Sequence, residues 1–342
     1  MAAQKQYAGL DYFRFLCAFF VIAIHTAPFS VWSKDVDALV TYCLFRVAVP
    51  FFLMTTGYFV LAPYFFSGRA KKRFPGKFLV KNAALYLAAT LLYLPVSLYA
   101  KSMPTNVPDL LKAFFFDGTF YHLWYFPAVL TGCILLLLLV RTSLLPAMIF
   151  SMAAYVIGLF GDSYYGVIKD VPFLCDFYDG VFSISSYTRN GIFFAPLFLL
   201  LGALSARPSF RLPHKVCVWG ACIATACLLL EGYVTYHYDL QKHNSMYLFL
   251  APVMYILFQL LLSLPGDAPF WMRKSTMPIY ILHPAVIIAV RGLAKAIGQT
   301  DLMVTHTFFH FLLVCAVTFA AAMLLQTLYA CRFALFRLEE TE

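Results

Sequence analysis

The 342-residue chain is 62% hydrophobic and only 12% charged, with a mean hydropathy of +0.79. A soluble domain carries roughly 25% charged residues, so a water-facing surface cannot be built from this composition and a soluble fold is excluded. The net charge of +9 does not imply nucleic acid, because the positive residues sit between apolar runs, where membrane topology requires them.

In chain order the apolar runs fall near 13–32, 38–62, 78–99, 120–140, 145–160, 190–206, 214–233, 246–264, 276–297 and 305–330. A crossing needs about 20 apolar residues, so the pattern predicts an all-α, polytopic transmembrane helix bundle of about ten spans. The first run is longer than a signal-peptide core and lacks a small-residue cleavage site, so it is expected to stay as a span. The fifth run is short and reads as a tilted or partly re-entrant helix. With a cytoplasmic amino terminus, fifteen of the 25 Lys and Arg residues fall on inner segments and eight on outer ones. The bias places both termini in the cytoplasm. The basic segment GRAKKRFPGK (68–77) decides most of it and reads as a topogenic anchor. The aromatic, acidic stretch 161–189 is long for a linker and is expected to be either a binding lid or a cap on the bundle. Residues 1–338 form the membrane domain and 339–342 a cytoplasmic tail. Nine cysteines are scattered without a CxxC pair, so neither a metal site nor a structural disulfide is expected.

Ionisable groups inside spans are costly and usually face a bundle interior or a water-filled cavity. Arg14, His25, Arg46 and His283 qualify. Arg14 and His25 are eleven residues apart, which on a helix brings both to one face with about 16 Å between them. Span two returns inward, so Arg46 is expected opposite His25 at similar depth. An arginine there keeps a histidine neutral, as a general base must be, and can steady an anionic intermediate or a carboxylate. The plainer alternative is that Arg14 snorkels and pairs with Asp11. His122 and Trp124 open span four and read as an interfacial aromatic belt or as substrate contacts. Arg189 opens span six on the outer side, and Glu231 closes span seven there. His283 lies about three turns into span nine, just before a kink at Pro284. His237, His243, His306 and His310 read as ordinary residues near the outer surface.

These residues resemble the membrane acyltransferase family 3. The Arg14-x10-His25 spacing carries the likeness, with RVAVPFFLMTTGYF (46–59), HLWYF (122–126), RNGIFFAPLFLLLG (189–202) and YILH (280–283). The resemblance covers nearly the whole chain. It implies a bundle of about ten helices in a bacterial cytoplasmic membrane that moves an acyl group from cytosolic acyl-CoA to a hydroxyl, with no tightly bound cofactor. By motif, His25 becomes the base, Arg14 a donor-binding or orienting residue, and Arg46 the matching second-span arginine. Arg46, His122, Trp124, Arg189 and His283 are the implied substrate contacts. The one departure is Thr56, where the family usually has Ser; the hydroxyl is kept.

A narrower likeness runs through AGLDYFRF, IAIHTAP, FDGTFYHLWY, IGLFGDSYYG, YTRNGIFFAP and QKHNSMY. These segments are similar to the membrane domain of the membrane-bound serine racemases of vancomycin resistance (the VanT type). That domain is implicated in L-serine uptake and precedes a cytoplasmic, pyridoxal-phosphate-dependent racemase. The chain stops at RLEETE, so no racemase domain is expected within it; it reads either as a stand-alone relative or as a chain cut at the domain boundary, and the resemblance implies a cytoplasmic serine racemase as partner. Acyl transfer and L-serine uptake both remain open at this point, since each wants a polar cavity beside His25.

Overall fold

The structure, a computed structural model, describes residues 7–67 and 74–339, with side chains through Tyr329. The GRAKKR part of the basic segment, Lys5 and residues 340–342 of the tail lie outside the described residues. The helices, in order, are α1 (Ala8–Thr26), α2 (Lys34–Val40), α3 (Ala48–Thr56), α4 (Ala62–Phe66), α5 (Gly76–Tyr99), α6 (Val107–Lys112), α7 (Tyr125–Leu139), α8 (Leu144–Phe160), α9 (Tyr165–Ile168), α10 (Pro172–Ile184), α11 (Ala195–Leu204), α12 (His214–His237), α13 (Leu250–Leu262), α14 (Phe270–Ala296) and α15 (Thr307–Glu339). The chain is an all-α, multi-pass membrane protein. Among the described residues six segments are long and apolar enough to cross a bilayer: Ala8–Thr26, Lys34–Phe66, Gly76–Tyr99, His214–His237, Phe270–Ala296 and Thr307–Tyr329. Large apolar side chains such as Val80, Leu91, Ile223 and Leu324 stand exposed on them, which suits a lipid-facing surface.

The other four apolar runs form α7, α8, α11 and α13, of 10 to 17 residues. At 1.5 Å per residue α11 is only about 15 Å long, half of a hydrocarbon core of about 30 Å. The physical reason is local. Pro196 sits in the first turn of α11, and irregular backbone containing Asn190 occupies what the sequence pattern assigned to the span.

Contacts divide the chain into two units, Met1–Ala48 with Leu261–Glu342, and Val49–Leu260. In the first unit α1 packs on α14 and α15, and these two pack on each other. Ala18 and Ile22 of α1 meet Ile279, Val286, Ile287 and Val290 of α14 and Val314 and Ala322 of α15. In lipid such contact, rather than expulsion of water, holds helices together. The start of α1 is pinned to the segment before α14: Tyr7 bridges to Gly266, and Gly9 N–H donates to Leu264 O at 3.4 Å. A Cβ at Gly9 would stand 2.6 Å from Leu261 O, so the close approach needs glycine. At the other end, Ala27 takes a left-handed conformation (φ 48°) and Pro28 opens a 3-10 turn, Pro28–Val31. The helix therefore stops at Thr26 rather than near residue 32. Asp37 ties this end down, accepting from Phe29 N–H and Thr41 Oγ1, while Thr307 Oγ1 donates to Pro28 O.

The second apolar run is not one continuous helix. It breaks between α2 and α3 into a 3-10 turn, Leu44–Val47, that carries Arg46. Pro50, in the first turn of α3, has no N–H for the carbonyl four residues back, which is that of Arg46, so α-helical bonding cannot run through this point.

The second unit centres on α11, packed against α7, α8, α4 and the π-helical turn Gly57–Leu61. Two glycines make the crossing. A Cβ on Gly57 would run into the carbonyl of Leu199, and one on Gly202 into the carbonyl of Met54. Phe51 and Phe258 fill the space beneath, with ring centroids 5.9 Å apart.

Candidate functional site

Arg14 and His25 both lie on α1, so the shared face expected from their spacing holds. Their surroundings differ from one another. Arg14 donates to Asp11 Oδ1 at 3.2 Å, the pairing that the i, i+3 spacing left open. Asp11 is buried, and it also faces Arg273 of α14, whose Nε is 3.7 Å from Oδ2. Arg273 counted in the sequence only as one inner charge.

His25 occupies the last turn of α1 and is partly buried. Because α1 ends at Thr26, the histidine sits at a helix terminus and not seven residues below one. Its ring stacks on that of His283, with centroids 5.3 Å apart and planes 22° from parallel. The sequence singled out both residues and paired His25 with Arg46, leaving His283 apart.

His283 is fully buried inside α14. Its Nδ1 lies 2.8 Å from Tyr280 O. A carbonyl can only accept, so Nδ1 carries the proton and Nε2 the lone pair. The local sequence explains the bond. Pro284 lacks the N–H that would have bonded Tyr280 O in an unbroken helix, and the preceding histidine supplies the donor instead.

Arg46 approaches from the 3-10 turn. Its guanidinium carbon lies 5.6 Å over the Tyr42 ring, and the neighbouring Phe45 stacks on Phe20 of α1 at 4.1 Å. The arginine-bearing turn is thus packed on the helix that carries His25. It gets there through a broken helix, not the smooth second span that was expected.

The remaining candidates belong to the second unit. His122 is buried against Tyr93, Phe120 and Tyr121, with ring centroids 5.0 to 5.8 Å away, so its ring is enclosed by aromatic side chains. Trp124 and Arg189 meet each other: the guanidinium carbon lies 5.3 Å over the Trp124 ring and 4.1 Å over Tyr187. Arg189 also donates to Ser245 Oγ at 2.9 Å. Ser245 N–H and Met246 N–H in turn donate to Asp162 Oδ1, at 2.6 and 2.9 Å. Asp162 is completely buried, and the sequence reading had not separated it from the acidic stretch around it. Asp162 and Arg189 therefore tie the stretch 161–189 to Ser245 and Met246. Burial lowers the pKa of Arg189, while Asp162, Tyr187 and Asp117 push it back up. His243, expected to be ordinary, belongs to the same group: burial lowers its pKa, Arg189 and Lys242 add to the lowering, and Asp162 opposes it. Glu231 accepts from Tyr164 Oη at 2.7 Å and from Phe249 N–H at 2.8 Å, tying the loop after α12 to the same stretch. His310, also expected at the surface, is buried, with Nδ1 2.8 Å from Met303 O.

An apolar cavity of about 430 Å³ lies among α5, α7 and the turn at 113–117. Tyr86 is the one titratable group lining it, and that hydroxyl donates to Phe114 O, so the cavity offers no acid–base chemistry.

The acyltransferase-domain family matches this chain over residues 7–327. Three curated relatives are similar over most of it. Two proteins of Enterococcus faecalis named amino-acid racemase are 36% and 40% identical, over 96% and 94% of the chain and 46% of each relative. A serine/alanine racemase of Enterococcus gallinarum is 37% identical over 85% of the chain and 42% of its own length. The chain thus spans under half the length of the curated relatives it matches. No solved structure matches.

Proposed function

From the premise that this chain belongs to the membrane acyltransferase family 3, we propose that it transfers an acyl group from cytosolic acyl-CoA to a hydroxyl acceptor, with His25 as general base. The observation that carries this reading is the His25–His283 stack. The stack holds the His25 ring against a second imidazole in an apolar bundle, and a general base must be held in position to act. His25 takes the proton of the acceptor hydroxyl as its oxygen attacks the thioester carbonyl. The tetrahedral oxyanion then expels the CoA thiolate, and protonated His25 returns its proton to that sulfur. The products are an ester and free CoA. Arg46 provides positive charge for the oxyanion, and Arg14 binds or orients the donor. The membrane is the bacterial cytoplasmic membrane, with both termini on the cytoplasmic side as the basic bias requires.

Acyl transfer is measured with radiolabelled acetyl-CoA and membranes of a bacterium expressing the chain, following label into envelope hydroxyl acceptors. His25→Ala should abolish incorporation. An unchanged rate would sink the proposal.

A second reading starts from the relatives, which are named as amino-acid racemases. It makes the chain an L-serine uptake domain feeding a cytoplasmic racemase, with Arg46 taking the substrate carboxylate. Uptake of labelled L-serine into proteoliposomes separates the two. Accumulation above empty vesicles that persists in His25→Ala supports transport, and its absence counts against it.

A further inference from the structure

Only 22% of the apolar stretch of α5 is buried, so this span keeps few protein neighbours, and beside it the fold leaves a hollow. On α5 the residues Val80, Ala83 and Leu87 follow at i, i+3 and i+7. On α7 Pro127, Leu130 and Ile134 do the same, so each helix turns one apolar ridge to the cavity of about 430 Å³. Ala83 carries a single methyl and leaves the middle of its ridge low. The π-helical turn Ala113–Asp117 supplies the third wall through Phe114 and Phe115. Tyr86 fixes that turn against α5: its hydroxyl donates to Phe114 O at 2.9 Å and accepts from Thr119 N–H at 3.2 Å. Its ring stacks on Phe126, 5.9 Å between centroids, and the Thr90 and Thr119 hydroxyls meet at 2.7 Å. The hollow is therefore preformed, with walls joined by hydrogen bonds inside the protein.

What fills it follows from where it opens. Val80, Leu87, Phe115 and Ile134 line the cavity and are exposed, so its mouth is continuous with the lipid-facing surface of the span. From Leu79 to Leu87 the hollow follows about 12 Å of α5, within a helix that crosses a hydrocarbon core of about 30 Å. Of the eleven described lining side chains only Tyr86 and Thr131 carry polar atoms, too few to hold ordered water. Left empty, the cavity forfeits the dispersion contacts that hold helices together in lipid. A hydrocarbon chain entering from the bilayer restores those contacts and strips no polar group of water.

We propose that the hollow between α5, α7 and the turn Ala113–Asp117 is a binding site for one acyl chain of a membrane phospholipid, inserted sideways from the bilayer. Three fixed walls distinguish this chain from the lipids that border the open helix faces. The site belongs to the second unit alone and is independent of the chemistry at His25.

The full chain is purified in a detergent with a rigid steroid tail and titrated with phosphatidylcholine that carries a photoreactive diazirine midway along one acyl chain. Labelled peptides are then quantified from α5 and α7, with the exposed face of α12 around Ile223 as the reference for bordering lipid. Labelling of α5 and α7 should saturate, while that of α12 rises in proportion to the lipid added. Ala83→Trp fills the hollow and should lower the α5 and α7 labelling about tenfold with α12 unchanged, since an overfilled site has no room for a chain. Leu91→Trp, on an exposed part of the same helix outside the cavity, should change nothing. Added phosphatidylcholine should also raise the thermal midpoint of the wild-type chain more than that of Ala83→Trp, because a ligand stabilises the state that binds it. If Ala83→Trp does not elute as a folded species, Ala83→Leu, a shorter plug, replaces it in both measurements. Unsaturable labelling of α5 and α7 that matches α12 overturns the proposal, as does labelling of the plugged variant equal to wild type. Saturable labelling by a polyprenyl probe that phosphatidylcholine does not displace overturns the assigned occupant.

Discussion

The ring of His25 lies against the ring of His283, 5.3 Å between centroids, although one comes from the last turn of the first helix and the other from the middle of the fourteenth. The stack is held from both sides. Asp37 and Thr307 anchor the chain just beyond His25, and the Tyr280 carbonyl fixes the His283 ring.

If His25 takes the acceptor proton, His25→Ala should lower kcat by about 10²- to 10⁴-fold, the usual contribution of a positioned general base. His283→Ala should act differently. It removes a neighbour and not the base, so the expected result is a smaller fall in kcat. Turnover of the two variants and the wild-type chain, measured side by side, checks this. An equal kcat in wild type and His283→Ala would show that the stack does not position the base.

The crossing of α11 against the Gly57 turn leaves no room for a methyl group. Gly202→Ala should be destabilising by at least the 1–3 kcal/mol typical of overpacking, because the obstacle is backbone. Gly292 makes the contrast. It lies inside α14 with open space around its missing Cβ, so Gly292→Ala should be neutral or stabilising by about 0.4–1 kcal/mol. Thermal midpoints of the purified variants in one detergent decide both, and a Gly202→Ala chain as stable as wild type contradicts the packing described.

Much of this arrangement is legible in the amino-acid order. Hydropathy alone marks the membrane class and the ten apolar segments, because lipid imposes one strong rule on long stretches. The Arg14–His25 face follows from helical periodicity. Pairing across the bundle was less accessible. The periodicity of one helix says nothing of which other helix lies beside it, so His283 and His25 were both noticed and not joined. The break before α3 had its signal in Pro50, and the His283–Tyr280 bond had one in Pro284, since each proline strands a carbonyl at a known position. Asp162 and Arg273 had none. An acidic residue in a loop and a basic residue on an inner flank look alike whether solvated or buried, and only the fold reveals which partners they keep.

The segment around Asp162 and His243 should respond to acid. His243 has a folded pKa lowered from its ordinary value near 6.5 by burial and by Arg189 and Lys242. The unfolded chain therefore binds the proton more readily than the folded one. Stability from this group is complete above about pH 6.5, falls as the pH drops from there through the lower folded value, and is level below it. Hydrogen exchange over residues 238–249 should accelerate between pH 7.5 and pH 5 beyond the change in intrinsic rate. His243→Gln should flatten that acceleration. An unchanged pH response in the variant would assign it to another group.

The last expectation concerns the proline that shapes the site. Pro284 withholds an N–H from Tyr280 O, and His283 Nδ1 occupies that carbonyl in its place. Pro284→Ala restores a backbone donor at the position where an unbroken helix would use it. The new N–H competes with Nδ1, so the tautomer that keeps the lone pair on Nε2 loses its anchor. The restored bond also acts on α14 just before Val286, Ile287 and Val290, which pack against the rest of their unit. The helix should become intrinsically stronger while the imidazole becomes free to turn. Nitrogen-15 shifts of the His283 ring report the proton position directly. Wild type should give a protonated Nδ1 and an unprotonated Nε2, and Pro284→Ala a mixture of tautomers with lower transfer activity at unchanged donor KM. A variant that keeps the pure Nδ1–H tautomer would mean that His283 holds its place without the carbonyl the proline leaves open.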